Sequence, residues 1–189
     1  MAMPVVGCTA QSTTGTSPTA DTAQVSAFNA TDTAWILLMI PMTERAQLLT
    51  DLVPSRTSDP ALTVLAAKTE STLRDDLRRL RAVLQLSGVP DTRPHEGHNM
   101  PGMVSLGTLR KAAAANGQAF DQILTGALHA HFMQSRMLCA SERTQGRAGK
   151  AKELAAAIAK STAEQTSWLD RLHPVRPATP GGETTVTQP

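Results

Sequence analysis

Two imidazoles and two thioethers fall close together in the segment His95-Glu96-Gly97-His98-Asn99-Met100-Pro101-Gly102-Met103. Imidazole binds copper, zinc, nickel and iron, whereas the soft sulfur of a thioether selects mainly for Cu(I). Because Gly and Pro interrupt regular secondary structure, the segment is predicted to be a loop that can fold around an ion. The alternative is that its two Met side chains form a hydrophobic cap on a helical bundle.

Two further clusters of these residue types lie elsewhere in the chain: Met39 and Met42, and then His129, His131, Met133 and Met137. Spacings of four residues put His129, Met133 and Met137 on one face of a helix. His131 lies roughly 200° round from His129, at ~100° per residue. Taken alone, that helix favours Met133 and Met137 as flexible core filler, with metal binding as the alternative.

Hydrophobic periodicity and capping residues predict four long helices, at about 35–52, 60–86, 119–141 and 151–172, with a short helix at 106–115. Asp32 or Thr33 is the expected N-cap of the first helix, and Pro41 should kink it. Short connections and one long crossover predict an all-α fold, an antiparallel four-helix bundle with the His/Met loop in its crossover.

The two halves of the chain also form an internal repeat. Aligning the first helix of each half places Met39-Ile40-Pro41-Met42-Thr43 over Leu128-His129-Ala130-His131-Phe132, so that Met42 falls at the position of His131. In a two-fold bundle both side chains can point toward the shared interior, where bundles build metal sites from facing helices.

Composition excludes several classes of function. The net charge of +2 and the 3% aromatic content argue against nucleic-acid binding. A ferritin-like di-iron oxidase needs Glu-x-x-His pairs, and none is present in the chain. There is no Gly-x-Ser-x-Gly elbow for a hydrolase either, so we expect no enzymatic activity.

The N-terminal segment indicates export. Val5-Val6-Gly7-Cys8 resembles a bacterial lipobox, in which Cys8 becomes lipidated, and the Ser/Thr/Ala-rich stretch after it contains no Lys or Arg through Asp32. We therefore expect residues 1–31 to be a disordered tether on a lipid-anchored, extracytoplasmic protein, and residues 173–189 to be a disordered tail. Because no basic or fully apolar segment precedes Cys8, a cytoplasmic tail with a chance Cys is the alternative.

Met39-Ile40-Pro41 and the block Met100-Pro101-Gly102-Met103 are similar to motifs of the ferritin-like domain of unknown function 305 family. Further positions follow that block at the family's spacing: Ser105, Leu109, Gly117, Phe120 and Asp121. The resemblance covers about 32–172 and implies an exported bacterial protein, a four-helix ferritin-like bundle and, for some members, copper binding through His and Met. Where the family has paired His, this chain has Met42-Thr43 and His131-Phe132.

The sequence thus predicts a cell-envelope protein that sequesters or hands over a metal ion, with copper as the favoured metal. The candidate ligands are His95, His98, Met100, Met103, His129, His131, Met133, Met42 and Met39. Cu(I) would prefer the thioethers, and Cu(II) the imidazoles. The expected partners are the ion and, through the lipid on Cys8, a membrane; homo-oligomerisation stays open. The alternative is a metal-free bundle acting as a surface interaction or structural module.

Overall fold

The computed structural model describes residues 27–172, and over this range the chain is helical, which confirms the predicted fold class. The helices are α1 (Ala30–Thr50), α2 (Val53–Arg56), α3 (Pro60–Ser87), α4 (Leu106–Ala114), α5 (Gly117–Gln145) and α6 (Gly149–Leu172). The predictions for Cys8, for most of the tether and for the C-terminal tail lie outside the described residues. Within residues 27–172, every helix is too short or too polar to span a membrane.

The four long helices form one bundle in which α1 and α6 each pack against both α3 and α5. Asn29, just before α1, donates to the carbonyl of Gln145 at the end of α5, so these two helices run antiparallel. Leu62 near the start of α3 shares a core cluster with Leu169 near the end of α6, which makes that pair antiparallel as well. The segment between α3 and α5 therefore returns the chain along the whole bundle as its one long crossover.

Helix ends agree with the sequence where the capping group is local. Asp59 accepts from the backbone N–H groups of Ala61 and Leu62 and starts α3, while Gly88 ends it in the left-handed conformation at φ 68°. The hydroxyl of Ser105 accepts from the N–H of Thr108 at 2.9 Å and starts α4. These three ends follow the predicted pattern.

The start of α1 differs from the prediction. The helix begins at Ala30, and its N-cap is Asn29, not Asp32 or Thr33. Asp32 instead occupies the third helical position, where it accepts from the Asn29 N–H while the Asn29 side chain accepts from the Asp32 N–H. Phe28 packs against the core, so the bundle includes residues that the sequence had assigned to the tether.

Asp32 has a second role that no local pattern reveals. Its carboxylate also accepts from the backbone N–H groups of Arg147 and Ala148, both at 3.0 Å, just before α6. Both N–H groups lie immediately before the first turn of that helix, where backbone donors lack intrahelical partners. The Asp32 carboxylate of the first helix therefore caps the last helix, and it joins the hairpin formed by α1 and α3 to the hairpin formed by α5 and α6.

The core consists of two hydrophobic clusters, one toward each end of the bundle. The first, which we call the Trp35 cluster, joins the first half of α1 to the second half of α3 and the first half of α6. The second, the Phe120 cluster, joins the opposite halves of the same three helices to the first half of α5 and to the crossover. Along α1, Met42 and Thr43 lie between the two clusters, and along α6 Thr162 and Gln165 do so.

Candidate metal centre

Charged side chains hold the crossover loop (residues 88–105) against α1. The guanidinium of Arg93 donates to both oxygens of Glu44, at 2.5 and 3.3 Å, and Arg45 donates to the carbonyl of His98 at 3.1 Å. Burial alone would raise the pKa of Glu44, but the hydrogen bonds from Arg93 and Arg81 lower it, so the carboxylate stays charged. Charged hydrogen bonds are the strong ones, and these fix the loop beside the middle of the bundle.

Gly102 holds the other side of the same loop against α5. Its φ is 70°, and a Cβ at this position would lie 2.2 Å from Cβ of Gln134 and 2.9 Å from the carbonyl oxygen of Ala130. Only glycine fits so close to a helix in this conformation. The contact carries the next residue, Met103, into the protein, where it is buried.

The predicted loop ligands divide into an outer and an inner group. His95 and Met100 are half-buried and His98 is exposed, whereas Met103 is buried. The rings of His95 and His98 lie 6.4 Å apart between centroids, edge to face. The loop therefore presents two imidazoles near its surface and one thioether on its inner side.

His131 lies inside the bundle, the position that the alignment of the two repeats had allowed for it. The ring is 1% exposed, and burial lowers its pKa to about 4, with a weaker opposing effect from a hydrogen-bonding contact to the backbone of Gly102. Its Nδ1 is buried without a hydrogen-bond partner in residues 27–172. At neutral pH this imidazole is uncharged, which is the form that binds metals.

Met39 and Met42 are both buried on α1, but in different surroundings. Met39 belongs to the hydrophobic Trp35 cluster, whereas Met42 belongs to neither cluster. Met42 instead lies along α1 between the two clusters. Buried polar side chains occur on all four long helices: Thr43, Thr69, His131, Ser135, Thr162 and Gln165. The repeat alignment that matched Met42 with His131 therefore pairs two buried side chains.

Three of these buried polar residues were missed as candidate site residues by sequence reasoning: Thr69, Ser135 and Gln165. Each is buried, and in the described part of the chain Oγ1 of Thr69, Oγ of Ser135 and Oε1 of Gln165 have no hydrogen-bond partner. Buried polar atoms normally have a partner, so an unpaired group marks a position for a ligand or water. The available sequence signal was a polar residue at an inward helical position.

His129, Met133 and Met137 share the opposite side of α5, and this side faces solvent. Nε2 of His129 lies 3.8 Å from Oδ1 of Asp170, and Met133 and Met137 are 42% and 61% exposed. The interpretation of these two Met residues as core filler is therefore wrong. Their neighbours come from α6 and not from the crossover loop, because the adjoining groove is lined by residues of α5 and α6 alone.

Carboxylates and imidazoles alone do not form a metal centre here. Between residues 27 and 172, no three side chains of His, Cys, Asp or Glu gather in a group that could hold an ion. A centre in this region would therefore depend on thioethers, and the buried candidates are Met42, Met103 and His131. This donor set is soft, and it fits Cu(I) better than Zn²⁺ or iron.

Comparison with known proteins supports the fold. The family model of the domain of unknown function DUF305 matches residues 32–173. A DUF305 protein of Streptomyces coelicolor, provisionally described as secreted, is 18% identical with a TM-score of 0.67, over 75% of this chain and 91% of that chain. A DUF305 fragment of Deinococcus radiodurans is 14% identical with a TM-score of 0.69, over 77% and 96%. No curated protein matches the sequence.

Proposed function

We propose that this chain, which belongs to the DUF305 family, is an extracytoplasmic protein that binds copper for sequestration or handover. The observation that carries the metal part is the buried, uncharged imidazole of His131, whose Nδ1 has no partner in residues 27–172 and which lies beside the methionine-bearing loop. The location outside the cytoplasm rests on the Streptomyces coelicolor relative and on the predicted lipid attachment of Cys8.

The inner site consists of His131, Met42 and Met103. All three side chains are buried, and a buried, unpaired polar atom costs about 1–3 kcal/mol. A bond from an ion to Nδ1 of His131 would remove that cost. Two thioethers and one neutral imidazole give a soft, uncharged donor set, which favours Cu(I) over the harder divalent ions.

The outer pair, His95 and His98, is the first contact for an arriving ion. Metal–imidazole bonds are about 2 Å long, so two rings whose centroids lie 6.4 Å apart can share an ion after modest side-chain rotation. Met100, half-buried between this pair and Met103 in the chain, continues the donor series toward the interior. Imidazoles near the surface suit Cu(II), and the buried thioethers suit Cu(I).

The test is an anaerobic titration of the full chain with Cu(I) held by a competing chelator. The wild type should take copper from the chelator, and the Met42→Leu/Met103→Leu variant, which keeps the hydrophobic volume, should bind at least ~10-fold more weakly. The half-buried His129, whose side chain is 42% exposed, provides the matched control, since His129→Ala should bind as the wild type does. Replacing His95, His98, Met100 and Met103 together by Ala should abolish uptake.

Failure to compete with the chelator would refute copper binding and favour the metal-free bundle. Equal losses in His129→Ala and His131→Ala would also count against the inner site, because only one of these rings is buried. Circular dichroism of each variant would separate lost binding from lost folding.

Lipid attachment at Cys8 is a separate part of the proposal. The motif Val5-Val6-Gly7-Cys8 and the long stretch after it without Lys or Arg support it. In an exporting bacterial host, the chain should partition with membranes and carry the mass of a diacylglyceryl group. A Cys8→Ser chain that stays equally membrane-bound would contradict the anchor.

A further inference from the structure

An open groove of about 530 Å³ runs along the outer side of the α5–α6 hairpin. Its floor combines exposed methionines with small side chains: Met133, Met137, Ala156, Ala159 and Ala163. Two large hydrophobic side chains exposed in one groove differ from the single exposed residues elsewhere on the bundle, such as Leu48 and Val64. Scattered exposed residues need no explanation, whereas an apolar groove bordered by polar residues is typical of an interaction site.

The rim of this groove is basic and unpaired. Arg136, Arg143 and Lys160 border it and are exposed. In the part of the hairpin that the structure describes, the contacts between basic and acidic side chains are Lys150–Glu153 and His129–Asp170. No carboxylate of residues 27–172 therefore lies within 4.0 Å of the three rim cations.

The corresponding groove on the α1–α3 hairpin provides a contrast within the same molecule. It has a similar volume, about 530 Å³, and it also carries three arginines. Each of those arginines pairs with a carboxylate: Arg74 with Glu70, Arg78 with Asp75, and Arg81 with Glu44. Its one large hydrophobic lining residue, Leu77, is buried. Free cations and exposed methionines thus occur together only on the α5–α6 side of the described bundle.

We propose that the α5–α6 groove is a docking site for an acidic amphipathic helix of another protein. Alanines at positions 156, 159 and 163 lie on one face of α6 and leave room for a helix axis about 8–10 Å away. Methionines adapt their shape to the apolar residues of an incoming helix, which would be spaced i, i+3, i+4 and i+7. Acidic residues flanking that apolar face complement Arg136, Arg143 and Lys160.

A second copy of this chain fits the groove poorly. A two-fold dimer through this face would place the same patch against itself, so that the three cations would face three cations. Like charges brought together in this way disfavour association. The docking site is independent of copper binding, because the groove shares no residue with the inner ligands Met42, Met103 and His131.

The test uses the full chain as bait for a displayed library of helical peptides. Their apolar face is constant, and their flanking positions are randomised among Glu, Lys and Ala. Wild-type protein should enrich Glu at the flanking positions, and the affinity of selected peptides should fall as salt rises. On Arg136→Glu/Lys160→Glu the enrichment should shift to Lys, and Met137→Glu should weaken binding at least ~10-fold.

Two surface variants are the controls. Val64→Glu introduces the same side chain at a residue that is 57% exposed, and Arg78→Glu reverses a charge in the α1–α3 groove. Neither should change peptide binding. Enrichment of Lys or Ala on the wild type, equal losses in the controls, or a concentration-dependent dimer abolished by Met137→Glu would each overturn the proposal. Tighter binding to vesicles of anionic lipid than to the acidic peptides would overturn it as well.

Discussion

Replacing Glu142 by Gln should remove a pH-dependent loss of stability that arises where α1, α5 and α6 meet. The side chains of Asp32 and Glu142 are both fully buried and contact each other. Asp32 accepts from three backbone N–H groups, those of Asn29, Arg147 and Ala148. Burial alone would raise the pKa of Asp32, but hydrogen bonds from these groups and from Glu142 lower it, so Asp32 is the ionised partner.

Glu142 is the partner that keeps the proton. Burial, and then the hydrogen bond and charge of Asp32, raise its pKa from 4.5 to about 8. The folded state thus retains a proton that the unfolded chain releases above pH 4.5. The contribution of this group to stability is complete below that pH and is lost as pH rises toward 8.

The size of this loss of stability follows from how far the pKa of Glu142 is raised in the folded state. A difference of 8 − 4.5, at about 1.4 kcal/mol per unit, gives a ceiling of about 5 kcal/mol. Because relaxation of the helix ends and water penetration lower the penalty of ionising a buried carboxyl, we expect about 2 kcal/mol between pH 5 and pH 8. In Glu142→Gln the amide donates to Asp32 at every pH, so this loss should disappear.

The assay is urea unfolding followed by circular dichroism, with the free energy of unfolding extrapolated to water at pH 5, 6, 7 and 8. The readout is the difference between variant and wild type, because His131 titrates in the opposite sense and would obscure an absolute profile. Glu153→Gln, at an exposed pair with Lys150, is the control. Parallel profiles for wild type and Glu142→Gln would refute the shared proton.

Three further perturbations test the packing of the site. Burial lowers the pKa of His131 from 6.5 to about 4. The unfolded chain therefore binds a proton at this imidazole that the folded state does not, and the protein loses stability as pH falls from 6.5 toward 4. Thermal melts of His131→Leu should lack this loss. In Gly102→Ala the new Cβ would lie 2.2 Å from Cβ of Gln134 on α5, so the free energy of unfolding should fall by about 1–3 kcal/mol in a urea titration. Gly97 also has a positive φ, 87°, but open space around it, so Gly97→Ala should lower the free energy of unfolding by less. Arg93→Ala should release the crossover loop from Glu44 and speed proteolysis of the loop, whereas Arg78→Ala should not. Equal cleavage rates in the two variants would show that the Arg93–Glu44 contact does not hold the loop.

Much of the fold was accessible from sequence because its signals are local. A 3.6-residue period and caps at Asp59, Gly88 and Ser105 act within one or two turns of a helix, so they can be read without knowing the neighbours. The start of α1 was missed although its signal is also local, since the reciprocal capping box joins Asn29 to Asp32. Only the further bonds from Arg147 and Ala148 to the Asp32 carboxylate depend on the folded bundle.

For the candidate site, the sequence determined the residue types and part of their orientation. The helical period separated His131 from His129, and the structure places the first inside and the second outside. Neither composition nor spacing could tell whether Met133 and Met137 face core or solvent. That depends on which side of α5 is covered by its neighbours.

The tertiary structure decided which chemistry-bearing residues are buried and which face solvent. Met103 reaches the interior because Gly102 has no Cβ to collide with α5, and the loop remains there because Arg93 binds Glu44 across the crossover. The sequence by itself determined helices, caps and a pool of soft donors, since these depend on neighbours along the chain. Their grouping depends on contacts between segments remote in sequence, and only close packing of the complete bundle selects those contacts.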